Sequence, residues 1–167
     1  TLGKRFAKTH RVHLVDQRNH GQSPHHPVHS YEAMAEDLLH YINERHIQRA
    51  SIIGHSMGGK TALVFAHRHP DRVHKLVIAD MAARAYVPHH RSIFDALLSA
   101  PIDSAESRSV VETHLTNLLD DAGVVDFLMK NLRREKSGGF TWRPNIAVLA
   151  PAIDAVVDEV PLSMNTL

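Results

Sequence analysis

Residues 50–61 read Ala50-Ser51-Ile52-Ile53-Gly54-His55-Ser56-Met57-Gly58-Gly59-Lys60-Thr61. Ala50 to Ile53 has the character of a short buried strand, and Gly54 to Gly59 is a glycine-rich turn. A helix is predicted from there to about His67. It must stop near Pro70, because proline excludes the residue before it from helix. Within the turn, Gly54-His55-Ser56-Met57-Gly58 satisfies G-x-S-x-G. Between a strand and a helix this pattern means a strained tight turn that lifts a serine hydroxyl above the strand ends. Neighbouring backbone passes close there, so Gly54 and Gly58 are expected to be obligatory small residues. The helix points its free N–H groups and positive dipole end at the same place. Ser56 is thus the candidate nucleophile, and the Met57 N–H the candidate donor to an oxyanion.

The same residues fit a second pattern. Gly54 to Thr61 matches G-x-x-x-x-G-K-T, the phosphate-binding P-loop, and Leu76 to Asp80 could supply a magnesium-holding strand. Against it, Met57 stands where such loops often need another glycine, and Asp80 follows the loop very closely. The polar run Asp16 to Gly21 also stays unexplained. A P-loop nucleotide binder is therefore carried as an alternative.

Working outward, Arg11 to Asp16 reads as a strand and Asn19 to Pro24 as a loop broken by Gly and Pro. Ser30 is placed to cap a helix over Tyr31 to His46, whose apolar face is Met34, Leu38 and Ile42 with Ala35 and Leu39 beside them. Val73 to Asp80 is a third strand, and its near-continuous apolar run suits a parallel strand covered on both faces. Strand and helix alternating at this spacing predict an α/β fold. After Asp80 the pattern becomes helical, with segments at Ser92–Ser99, Ser104–Leu119, Val124–Arg133 and Ile146–Val157 and no intervening strand. The predicted organisation is a core over 1–83, a helical cap over 84–158 and a tail over 159–167.

Composition narrows the function. The chain has 167 residues, 43% hydrophobic and 22% charged, with a formal charge of +1. That is ordinary for a globular domain and gives no electrostatic case for nucleic acid as partner. There is no cysteine, which removes thiolate catalysis, disulfides and Cys-based zinc sites. No apolar stretch approaches the roughly 20 residues of a membrane span. The 15 histidines form no helical zinc-binding pattern and read mostly as solvated surface, so they give no metal site.

Asp16, Arg18, Gly21 and Ser23 decide between the two patterns. Together with the serine turn they resemble the D-x-R-G/N-x-G-x-S loop of α/β-hydrolases. Asp16 to Pro24, Ser30 to Leu38 and Gly54 to Lys60 are similar to the small bacterial YbfF-type esterases and the mitochondrial abhydrolase-domain esterases near them. Phe127 to Leu132 and Gly139 to Asn145 resemble the cap of that group. The resemblance implies a partial α/β-hydrolase fold, about three parallel strands with flanking helices plus a helical cap. It implies a serine hydrolase for a small acyl ester or thioester, with Ser56 as nucleophile and Asp80 as the triad acid, inside the cell in a mitochondrial or cytoplasmic setting. That hydrolase reading implies no metal or organic cofactor. One departure is that Met81-Ala82-Ala83 replaces the usual Ile-Ala-Pro after the acid. The catalytic histidine is expected beyond Leu167, a second oxyanion donor before Thr1, and a further strand between those ending at Asp16 and Ile53. The chain alone is then expected to be inactive, and a non-catalytic interaction module stays open as an alternative.

Other residues carry narrower expectations. Asp16 is expected to tie down its loop through Arg18, and His55 to point away from the site and pack. His20, His25, His26, His89 and His90 lie on loops near the active edge and could be offered as substitute bases. Trp142 could line an acyl pocket or equally pack inside the cap. Oligomeric state is not legible.

Overall fold

The computed structural model describes residues 2–81, 84, 91–136 and 138–160. A short helix α1 (Leu2–Phe6) opens the chain. Helix α2 (Tyr31–Glu44) begins where predicted: Ser30 is its N-cap, and the Ser30 hydroxyl accepts from the Ala33 N–H at 3.2 Å. This satisfies one of the donors a helix start leaves orphaned. Its expected apolar face is the buried one, with Met34 and Ala35 fully covered and Ile42 nearly so. Leu38 and Leu39 pack at the margin.

Strands β1 (Ala50–His55) and β2 (Val73–Ala79) run parallel, with Ile52 opposite Leu76, Ile53 opposite Val77 and His55 opposite Ala79. Helix α3 (Met57–Arg68) connects them and ends just before Pro70. It packs on both strands and against α2, so Gly59 to Ala62 and Val64 to Ala66 are all buried. Among the described residues the opposite face of the sheet is bare: Ile53 is 48% and Val77 51% exposed. Parallel sheets are ordinarily covered on both faces.

The expected strand over Arg11–Asp16 is absent. A strand exists only through a ladder to a neighbour, and among the described residues nothing pairs with this segment. The parallel sheet therefore has two strands, where three had been expected.

The remaining elements are α4 (Arg91–Leu98), α5 (Arg108–Leu118), α6 (Ala122–Met129), β3 (Leu132–Arg134), β4 (Phe140–Trp142) and α7 (Ile146–Val157). The β3–β4 antiparallel hairpin corrects the expectation of an all-helical region. Leu132 continues the helical spacing of Val125, Leu128 and Met129, which is why sequence extends that helix to Arg133. In the fold, Arg108 donates to the carbonyls of Met129 and Leu132 at 2.6 and 2.8 Å. Those acceptors are thereby satisfied outside a helix, and Leu132, Phe140 and Trp142 turn inward with strand periodicity. These three join Leu97, Val111, Leu115, Val125 and Met129 in one apolar cluster. A second cluster joins α2 and α3, with Val156 and Val160 from the far end of the chain. Among the described residues no helix is long and apolar enough to cross a membrane.

Candidate active site

Ser56 stands between β1 and α3 with φ 52° and ψ −124°, a positive φ that a non-glycine residue adopts only under constraint. The constraint is visible. The Ser56 N–H donates to the Ala79 carbonyl of β2 at 3.2 Å, and the Ser56 carbonyl accepts from Gly59 and Lys60 at 2.8 and 3.2 Å. Its hydroxyl has no hydrogen bond within the described residues and is half-buried. Met57 is the first residue of α3, so its N–H belongs to the donors that have no intrahelical partner.

The two glycines of the motif differ. A Cβ on Gly54 would lie 2.3 Å from the Gly58 carbonyl oxygen and 2.7 Å from the Gly59 Cα. A Cβ on Gly58 would meet nothing within 4 Å. Close backbone approach thus requires glycine at 54, whereas among the described residues nothing requires it at 58, contrary to expectation.

Asp80 follows Ala79, and Ala79 pairs with His55. Ser56 and Asp80 therefore leave adjacent strands at the same carboxyl edge, one residue beyond a matched pair. Asp80 also has a positive φ, 54°, a conformation Asp tolerates better than most residues. Its carboxylate is 89% exposed and lies 3.5 Å from His55 Nε2, whose side chain is 70% exposed. His55 therefore does not pack as expected. Strand alternation puts it on the bare face with Ile53. Ala82, Ala83, His89 and His90 lie outside the described residues.

The polar loop before α2 is held differently from its reading. The Asp16 carboxylate accepts from the Gln22 N–H at 2.9 Å, and the Asp16 carbonyl accepts from the Ser23 hydroxyl at 2.7 Å. Arg18 turns away to form a bidentate pair with Asp37 at 2.6 and 2.7 Å. The Asp37 carboxylate raises the Arg18 guanidinium above its ordinary range, despite opposing burial. Asp16 thus anchors the loop directly and not through Arg18.

Asn19 is the residue whose role the sequence does not show. It is fully buried at φ 66°. Its side-chain oxygen accepts from the His26 N–H at 2.8 Å and from Asn145 Nδ2 at 3.2 Å, and its carbonyl accepts from the Asn145 N–H at 2.9 Å. It joins this loop to the start of α7. Its tolerance of left-handed backbone is the one local signal that could have pointed to it. Asn19 Nδ2 also lies 3.4 Å from Nδ1 of the buried His29. Desolvation, then His20 and Arg18, push the His29 imidazole down to about 4.

Among the described residues, no hydrogen bond joins His20, His25 or His26 to Ser56. His20 Nδ1 donates to the Arg18 carbonyl and His25 Nε2 to the Arg143 carbonyl, while His26 Nδ1 accepts from Val28 N–H. Trp142 is buried in the apolar cluster it shares with Leu97 and Val111, with Nε1 donating to the Leu97 carbonyl at 3.2 Å, which is the packing alternative. Lys60 is fully buried, and its Nζ donates to the carbonyls of Val156, Val157 and Asp158. The amine a P-loop would aim at phosphate is thus committed to the end of α7. No group of His, Asp or Glu among the described residues is arranged to hold a metal ion.

Comparison with known proteins gives the family. Residues 2–111 match the alpha/beta hydrolase fold family, and the chain belongs to it. The chain is 37% identical over 153 residues to the sn-1-specific diacylglycerol lipase ABHD11 of Mus musculus, covering 88% of this chain and 50% of that protein. It is 36% identical over 149 residues to esterase YbfF of Escherichia coli, covering 89% and 57%. A marine microorganism esterase of known structure superposes with a TM-score of 0.85 at 39% identity, covering 90% of this chain and 60% of that one. The chain thus spans about half the length of the curated relatives it matches. The family and the placement of Lys60 together set the P-loop reading aside.

Proposed function

We propose that this chain carries the nucleophile-bearing part of a serine hydrolase that cleaves carboxylic esters or thioesters. The observation that carries the reading is the Ser56 turn: positive φ, strand before, helix after, and Asp80 beside it on the paired strand. In the proposed reaction Ser56 Oγ attacks the acyl carbon and a histidine takes its proton. The Met57 N–H supports the oxyanion, and Asp80 orients the imidazole. The histidine returns the proton to the leaving alcohol or thiol. Water then attacks the acyl-enzyme, the histidine now acting as base, and releases the acid.

We place the histidine and the second oxyanion donor in polypeptide outside these 167 residues. What supports this is the absence of a histidine bonded to Ser56 among the described residues, the bare sheet face at Ile53 and Val77, and the half-length match to relatives. Removing the histidine of a related triad costs roughly 10⁶-fold in kcat, so the chain alone should turn over esters negligibly. The substrate class rests on the lipase and esterase relatives, and an intracellular setting on likeness to the same group.

Labelling with a fluorophosphonate tests the reading. A preparation of the complete hydrolase should label at Ser56, lose the label in Ser56→Ala, and show no ATP affinity. Labelling that survives Ser56→Ala, or magnesium-dependent ATP binding that Lys60→Ala abolishes, overturns it.

A further inference from the structure

The lysine of Gly54–Thr61 is left without a task by the hydrolase reading, yet its surroundings are specific. Lys60 lies one turn into α3 and its side chain is fully buried. A buried lysine is rare unless its ammonium is paired, and here the ammonium bonds to main-chain carbonyls. Nζ reaches Val156 at 3.4 Å, Val157 at 3.2 Å and Asp158 at 2.5 Å. These are the last carbonyls of α7 and its C-cap, which have no partner within their own helix. An ammonium carries three N–H donors and no acceptor, which suits a cluster of carbonyls. The negative end of the helix dipole also favours a cation there. The Val156 carbonyl takes a second bond at 2.6 Å from the Tyr31 hydroxyl at the start of α2. Lys60 Nζ lies 5.8 Å from the centre of the Tyr31 ring, within cation–π range.

Lys60 is also part of the nucleophile turn, since its own N–H donates to the Ser56 carbonyl. One residue therefore touches the Ser56 turn with its backbone and the end of the cap's last helix with its side chain. We propose that Lys60 is a positioning residue: with Tyr31 it forms a socket that seats the C-terminal end of α7, and so locks the cap to the first turn of α3. The link to catalysis rests on the hydrolase reading above; the socket itself does not.

Two measurements test it. On the full chain, hydrogen exchange should show α7 amides near 152–158 exchanging about tenfold faster or more in Lys60→Met, as expected when bonds to a charged donor are lost. Tyr31→Phe, which removes one neutral bond and keeps the ring, should show a smaller rise confined to the same amides. Strands β1 and β2 should be unchanged in both. Unchanged α7 exchange in both variants, or an equal rise throughout the chain, overturns the socket. On the complete hydrolase, kcat per fluorophosphonate-titrated site should fall at least about tenfold in Lys60→Met, because small displacements of catalytic groups are costly. A variant that is only less stable would have fewer sites with normal kcat per site, and that result overturns the positioning role. If the unaltered hydrolase does not label at all, the hydrolase reading fails, and the exchange result decides the socket alone.

Discussion

The two glycines of the Ser56 motif should respond in opposite directions to the same substitution. In Gly54→Ala the new methyl would sit 2.3 Å from the Gly58 oxygen and 2.7 Å from the Gly58 carbonyl carbon and the Gly59 Cα. Ordinary contact begins near 3.4 Å, so about 1 Å of movement is required. All three atoms are backbone. Gly59 and Lys60 are tied to the Ser56 carbonyl and Ser56 to Ala79, so movement strains or breaks these bonds. Overpacking costs about 1–3 kcal/mol, and one weakened hydrogen bond adds about 1 kcal/mol. The expected loss is about 2–4 kcal/mol, a large part of a typical domain's about 5–15 kcal/mol. In Gly58→Ala the methyl meets nothing within 4 Å, and alanine is better than glycine inside a helix by up to about 1 kcal/mol. Urea unfolding measures both. With a slope of about 2 kcal/mol/M, the Gly54→Ala midpoint should drop by about 1–2 M while that of Gly58→Ala holds or rises. Equal midpoints, or a larger drop in Gly58→Ala, would refute the steric reasoning.

Further outcomes follow from the same geometry. Asp80→Asn in the complete hydrolase should leave the fold intact, because Asn tolerates the positive φ as Asp does; kcat should fall by roughly 10⁴-fold for want of an orienting carboxylate, and near-normal turnover would move the acid elsewhere. The depressed imidazole of His29 means that the unfolded chain binds the extra proton between its ordinary 6.5 and about 4. Stability should therefore be flat above pH 7 and fall as pH drops through that window, by at most about 3 kcal/mol. Unfolding curves for His29→Leu should lack this component, and an identical pH profile in both proteins would exclude it. The chain alone should show negligible p-nitrophenyl butyrate hydrolysis and bind the dye ANS at the Ile53–Val77 face; turnover that disappears in Ser56→Ala would instead place a working base within these residues.

Much of the fold was written locally. Ser30 caps its helix, Pro70 ends α3, the Met34–Ile42 face is buried, and G-x-S-x-G puts Ser56 between strand and helix, because caps, breakers, periodicity and tight turns act over a few neighbouring residues. The same holds for the family, whose motifs are short contiguous strings. Long-range partners were not legible. Arg11–Asp16 has strand composition but, among the described residues, no strand to pair with. Leu132 continues a helical spacing, yet Arg108 takes the carbonyls around it and a hairpin forms. Arg18 answers to Asp37 across the chain and not to nearby Asp16, while Asn19 and Lys60 bond to residues more than 90 positions away. Sequence by itself determined which residues could turn, cap and cross; the tertiary structure decided which polar groups meet, because a buried donor must find whichever acceptor packing brings within reach.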